Sequence, residues 1–127
     1  MDFATVEPSE TINIGSAFGR GFAVAGGVAQ AVTDLIHVTN PEVEVKTARA
    51  EGLRDCKKLM MMAKAGKYNG YLLEGMACPG GCVAGAGTIL SVDHAKRVVE
   101  RYQKEATTAS PLQSPYRDMA DELEHEE

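Results

Sequence analysis

The sequence predicts a small α/β domain: a parallel-sheet layer laid down in the order helix, strand, helix, strand, loop, helix, with helices flanking it. Three observations carry the prediction. Two short runs with strand character, VEVKTAR and YNGYLLE, stand either side of an amphipathic stretch long enough for a crossover helix. Helical periodicity precedes the first run, and it returns after the second. A strand–helix–strand unit of this kind sets its strands side by side and parallel, through a right-handed connection.

Residues 1–14 carry Pro8 and only weak alternation, and read as an extended lead-in. In GSAFGRGFAVAGGVAQAVTDLI, Val28, Ala31, Val32 and Leu35 recur at helical spacing. A helix is therefore expected over 26–36, behind a glycine-rich loop over 15–27. Asn40-Pro41 breaks it, and Val43 and Val45 then alternate with Glu44 and Lys46 as in a half-buried strand. After Glu51-Gly52, Leu53, Cys56, Met60 and Ala63, with Leu59 beside them, form the apolar stripe of a helix ending at Gly66. Residues 68–74 read as the second strand, which feeds the chain straight into a cysteine loop. Ser91 or Asp93 caps a last helix reaching about Ala106, with Ala95, Val98, Val99 and Tyr102 on one face. TTASPLQSP is a linker, and the acidic YRDMADELEHEE either docks as a short helix or frays. The organisation is a lead-in over 1–14, one lobe over 15–107, and a linker with an acidic tail over 108–127.

Composition narrows the function classes. With 127 residues, 44% of them apolar and 24% charged, the chain suits one soluble globular domain with tails. A net charge of -5 with scattered lysines excludes a nucleic-acid or anionic-membrane surface, which needs clustered Lys and Arg. No run approaches the roughly 18 apolar residues of a membrane span, and MDFATVEPSE lacks the basic start and apolar run of a signal peptide. The expectation is a cytoplasmic chain with reduced thiols, no membrane insertion and no nucleic-acid partner.

Three cysteines in such a chain fit ligation or burial better than a disulfide framework. Cys78 and Cys82 are spaced C-x3-C, wrong for a zinc knuckle or a C-x2-C redox pair. Iron–sulfur ligation is a better match. Thiolates are the ligands of such clusters, and Gly80, Gly81, Gly85 and Gly87 remove side chains that would keep backbone N–H groups from the sulfides. A glycine turn holding two small buried thiols fits the spacing equally well. Cys56 lies on a helix stripe and reads as packing. His37, His94 and His125 share no ligand-like spacing, and the run 59–62 is core filling with an exposed methionine. Glu74, at a strand end, suits a structural carboxylate accepting loop N–H groups as well as a proton carrier.

The string EGMACPGGCVAGAG resembles the third cysteine motif of the iron-only (FeFe) hydrogenases, E-x-M-A-C-P-x-G-C-x-x-G-x-G, at Glu74, Met76, Ala77, Cys78, Pro79, Gly81, Cys82, Gly85 and Gly87. Upstream, FAVAGGVAQA resembles that family's F-G-x-T-G-G-V-x-E-A segment, with Ala23, Ala25 and Gln30 in place of its glycine, threonine and glutamate. The resemblance covers roughly residues 15–105. It implies the C-terminal part of an H-cluster domain, an oxidoreductase interconverting protons, electrons and dihydrogen with a ferredoxin-like electron carrier as partner. It further implies Cys78 as a ligand of a 4Fe-4S cubane, and Cys82 as the thiolate bridging that cubane to a di-iron unit. Met76, Phe22 and Val28 would line the di-iron pocket. The family's first two cysteine motifs have no counterpart here, so the chain is expected to be an excised fragment or a small subunit. The N-terminal remainder of the domain would then supply the other ligands, and the isolated chain would hold no cluster and be inactive. The alternatives are a non-catalytic iron–sulfur protein similar to the Narf-like family, which shares the cysteine motif and acts in cluster assembly, and an apo structural α/β module.

Overall fold

The computed structural model describes residues 3–7 and 13–119. Four helices and two strands follow one another as α1 (Ala17–Arg20), α2 (Gly27–Thr39), β1 (Lys46–Glu51), α3 (Leu53–Lys64), β2 (Tyr71–Met76) and α4 (Val92–Lys104), with short 3-10 turns between and beyond them. The strands pair in parallel from Lys46 opposite Tyr71 to Glu51 opposite Met76. The predicted α/β class and the order of its main elements are therefore present.

The layering follows from strand alternation. Neighbouring residues of a strand point to opposite faces of its sheet. On β2, the Glu74 carboxylate meets the first turn of α2, while a Cβ at the next residue, Gly75, would lie 3.2 Å from the Cys56 sulfur of α3. The two helices thus cover opposite faces of the sheet. The cover is partial: Lys46, Thr47 and Arg49 of β1 and Tyr71 and Gly75 of β2 stay exposed, and Glu74 is the one residue of the two strands that is fully buried. The α4 helix packs across α1 and the 3-10 turn Gly21–Ala23.

Five sequence expectations are corrected. The first strand begins at Lys46 rather than Val43, and the second at Tyr71 rather than Tyr68. In the observed register Val43 and Val45 would oppose Tyr68 and Gly70. Those two residues belong to a turn closed by the bond from Tyr71 N to Tyr68 O at 3.1 Å, with Gly70 at φ 76°. A strand without a partner is not formed, and Val43 is left exposed. The buried face of α3 is Leu59 with Cys56, Met62 and Ala63 half-buried, whereas Leu53 and Met60 of the expected stripe are 75% and 63% exposed. The missing side chain at Gly75 admits Cys56 against the sheet, which rotates the helix toward the Cys56–Leu59 side.

On α4 the face against the body includes Val92, Ala95, Val99 and Gln103, with Val98 and Tyr102 at its exposed margin. Lastly, residues 15–27 are not an open loop. Ser16 caps α1 by accepting from Gly19 N at 3.2 Å, and the 3-10 turn leads directly into α2. Gly27 is required there by a close approach: a Cβ would collide with the Gly21 carbonyl oxygen.

A single 3-10 turn, Phe3–Thr5, occupies the N-terminal segment expected to be extended. Beyond α4, the linker holds a 3-10 turn, Pro111–Gln113, capped by Ser110 and Gln113. The larger part of the acidic segment, 120–127, lies outside the described residues, as does His125.

Candidate metal centre

Parallel register brings both strands out at the same level, so Glu51 and Met76 are partners at the carboxyl edge of the sheet. Gly52 N donates to Met76 O at 2.8 Å and seals that edge. The chain leaves β2 into A-C-P-G-G-C directly beside the end of β1. Ligand sites of α/β units form at this edge, because loops there converge beyond the last paired residues.

Cys78 is half-buried and Cys82 exposed, and both are free thiols. They line one cavity of about 300 Å³ with Gly75, Met76, Ala77 and Gly81. Between them Gly80 and Gly81 adopt φ 97° and 93°, a left-handed pair open only to glycine without strain. The turn is closed by Gly81 N donating to Cys78 O at 2.9 Å, and followed by a 3-10 turn, Cys82–Ala84. On one side it lies against residues 23–25. Ala25 N donates to Gly80 O at 3.2 Å, and a Cβ on Gly81 would come within 2.5 Å of Ala25 N and 2.6 Å of Ala23 O. On the other side the Glu51 carboxylate accepts from Gly80 N at 2.7 Å.

These bonds change the expected part of the glycines. The amides of Gly80, Gly81 and Gly85 are all engaged inside the protein, by Glu51, Cys78 O and Cys82 O. They do not turn toward a cluster. What Gly80 and Gly81 contribute is clearance, since a Cβ would stand 2.9 Å from Val92 Cγ1 at the first and 2.5 Å from Ala25 N at the second, whereas at Gly85 it would meet Cys82 O at a less severe 3.1 Å. A Cβ at Gly87 would meet nothing within 4 Å.

The remaining candidates are distributed as follows. Met76 is a wall of the thiol cavity. Phe22 is not: at 47% exposure it lines a separate apolar groove of about 140 Å³ with Phe18, Val32, Leu35 and Pro111. Val28 meets the edge of the site through its backbone, donating to Glu74. The Cys56 thiol lies within weak hydrogen-bonding distance of Ala50 O and Met76 O, 3.6 Å from each, tying the two strand ends together from below. Glu74 is 8% exposed and accepts from Val28 N at 3.1 Å and Ala29 N at 3.4 Å. It thereby serves a helix start whose N-cap position, Gly26, has no side chain to offer.

Two residues that sequence reasoning passed over hold this arrangement. Glu51 is one. The other is Arg20, 8% exposed, whose guanidinium bonds Gly15 O at 2.8 Å, Tyr102 O at 2.8 Å and Asn13 Oδ1 at 3.1 Å, and lies 4.1 Å from the Tyr102 ring centroid. It joins α1 to α4 and so fixes residues 21–25 under the cysteine turn. The only signal for Glu51 was a carboxylate at the end of a strand; Arg20 had none beyond a long polar side chain in a glycine-rich stretch.

The donor chemistry tests what such a site can hold. Two thiols four residues apart on a rigid turn fit iron–sulfur ligation, which uses thiolate ligands. They are half of a cubane's set. Among the described residues no group of three or more Cys, His, Asp and Glu is placed to hold a metal ion. No helix among them is long and apolar enough to cross a membrane.

Comparison with known proteins bears on the same residues. A sequence family described as "Iron only hydrogenase large subunit, C-terminal domain" matches residues 1–86. The nuclear prelamin A recognition factor of Xenopus laevis is 31% identical over 75 residues, 58% of this chain and 16% of that protein. Its Homo sapiens counterpart is 31% identical over 77 residues, 60% of this chain and 17% of that protein. A probable cytosolic Fe-S cluster assembly factor of Culex quinquefasciatus is 40% identical over 50 residues, 39% of this chain and 10% of that protein. The matches thus span at most about a sixth of these relatives' length.

Proposed function

The chain belongs to the family of the iron-only hydrogenase large subunit, C-terminal domain, and from that premise we propose that it supplies two thiolate ligands to an iron–sulfur cluster in a non-catalytic protein of the prelamin-A-recognition-factor type. The observation that carries this reading is the cysteine turn. Cys78 and Cys82 share one cavity on a turn braced from both sides, yet no third ligand joins them among the described residues. Relatives named for prelamin recognition and for Fe-S cluster assembly favour this branch over a hydrogen-evolving one.

In this reading Cys78 and Cys82 hold the cluster, and the remaining thiolates come from another chain or from a longer sequence, because Cys56 is the sole further cysteine of the 127 residues. A bound cluster would supply one-electron chemistry or structural cross-linking. The chain's own residues do the rest. Met76 gives the cavity an apolar wall that limits water near the sulfurs, Gly81 lets the turn seat on residues 23–25, and Glu74 fixes the helix behind it.

The test is anaerobic reconstitution of the chain with iron, sulfide and glutathione, the glutathione completing the coordination. Iron–sulfur absorbance should appear, disappear when glutathione is removed, and be abolished in Cys78→Ser and in Cys82→Ser but not in Cys56→Ser. Equal absorbance in the Cys78→Ser/Cys82→Ser double variant would defeat the assignment. Hydrogen evolution from a reduced viologen by the reconstituted chain would instead restore the catalytic branch.

A further inference from the structure

We infer that Glu51 is the positioning residue of the thiolate turn: its carboxylate, by holding Gly80 N–H, sets the relative placement of Cys78 and Cys82. The inference rests on the proposed thiolate site and adds a residue that no motif marks.

The geometry has three parts. Register puts Glu51 opposite Met76, so the side chain leaves β1 at the level where β2 becomes the cysteine turn. The bond to Gly80 N, at 2.7 Å, falls at the midpoint of C-P-G-G-C, and Glu51 is the one side chain among the described residues with a hydrogen bond to residues 78–82. A short bond to an ionised acceptor is among the stronger kinds of hydrogen bond. The turn's other bonds are backbone ones, Gly81 N to Cys78 O and Ala25 N to Gly80 O, and its two successive glycines lose more backbone freedom on ordering than any other pair.

The far side of Glu51 opens on a cavity of about 400 Å³ shared with Arg49, Asp55, Lys58 and Tyr68. Among the described residues no bond on that side fixes the carboxylate: the nearby ion pair joins Lys58 to Asp55 at 3.0 Å and leaves Glu51 out. The carboxylate is thus committed to the turn. Its bond also satisfies the Gly80 amide, so that amide is not available to a cluster sulfide. Partners bonded directly to ligating side chains typically change metal affinity by about 10- to 100-fold when removed; Glu51 bonds the backbone two residues from each cysteine, so the lower end of that range is expected.

The experiment compares the parent chain with Glu51→Gln and Glu51→Ala by two readouts, the amide exchange rate of Gly80 by NMR and the affinity for Co(II) followed by its thiolate charge-transfer band. Gly80 exchange should rise about tenfold in Glu51→Ala. Co(II) binding should weaken about tenfold in that variant, with Glu51→Gln intermediate in both and amides of β1 and β2 unchanged. Either readout indifferent to residue 51 overturns the inference. A rise in exchange without loss of affinity means the turn is held but the thiols do not depend on it; the converse means Glu51 acts by charge rather than by this bond. If Glu51→Ala does not fold, the parent and Glu51→Gln carry the comparison, and equality between them is again fatal. A Co(II) band that survives in the Cys78→Ser/Cys82→Ser double variant sinks the thiolate site itself. That result is distinct from a band that needs both cysteines and ignores residue 51.

Discussion

The carboxylate of Glu74, on the second strand, accepts the backbone N–H of Val28, at the first turn of α2, over 3.1 Å. One side chain buried in the sheet thereby stands in for an N-cap that Gly26 cannot provide. Removing it leaves the amides of Val28 and Ala29 without their acceptor in a largely buried place. Glu74→Ala is expected to lower unfolding free energy by about 1–3 kcal/mol, and Glu74→Gln by less, as the amide oxygen still accepts. Urea denaturation measures both, and a Glu74→Ala midpoint equal to the parent's would contradict the capping role.

Two glycines that share a positive φ separate strain from collision. At Gly70, φ 76°, an added Cβ meets nothing within 4 Å, so Gly70→Ala carries only the left-handed penalty of about 1–2 kcal/mol. At Gly81, φ 93°, the Cβ also strikes the backbone of residues 23–25. Gly81→Ala is therefore expected to exceed Gly70→Ala by at least about 1 kcal/mol and to displace the cysteine turn. Thermal melts of the pair decide it; equal losses would mean that the turn is free to lift away.

Arg20 has no carboxylate within bonding distance among the described residues and is satisfied by backbone and amide oxygens. Lysine lacks the planar fork that reaches several acceptors at once. Arg20→Lys should destabilise by about 1–3 kcal/mol, and Arg20→Ala by more. The loss should appear first as faster amide exchange in α1 and the facing turns of α4. Uniform protection in the Arg20→Lys chain would speak against a tie between the two helices.

The face of α3 has a direct check. Leu59 is 5% exposed and Leu53 75%. Leu59→Ala is expected to lose about 2–4 kcal/mol, and Leu53→Ala less than about 0.5 kcal/mol. Comparable losses at the two positions would restore the stripe that periodicity suggested.

Legibility in the sequence differed by the range of the physics involved. The breaker at Asn40-Pro41 and the stop at Gly66 act over a few residues and fall where the sequence puts them, and of the two caps it offers for the last helix, Ser91 and Asp93, the first is the one used. The order of helices and strands was legible for the same reason. The thiol pair was legible as well, because C-P-G-G-C is contiguous. Glu51 was not, since nothing about a glutamate before a glycine says that a turn 29 residues later will offer it an N–H.

The sequence by itself determined the α/β class, the parallel strand–helix–strand unit and the segment that carries the two cysteines, because local periodicity and turn chemistry suffice for these. Only the tertiary structure decided where each strand starts, which side of α3 is buried, that Ala17–Ala23 within the glycine-rich stretch form helical turns, and that the cysteine turn is clamped between Glu51 and Ala25. The physical reason is pairing. A strand extends only as far as its neighbour, a helix turns toward the gap left by Gly75, and a left-handed glycine pair takes its shape from the groups that bond it. In every case the deciding partner is distant in the chain.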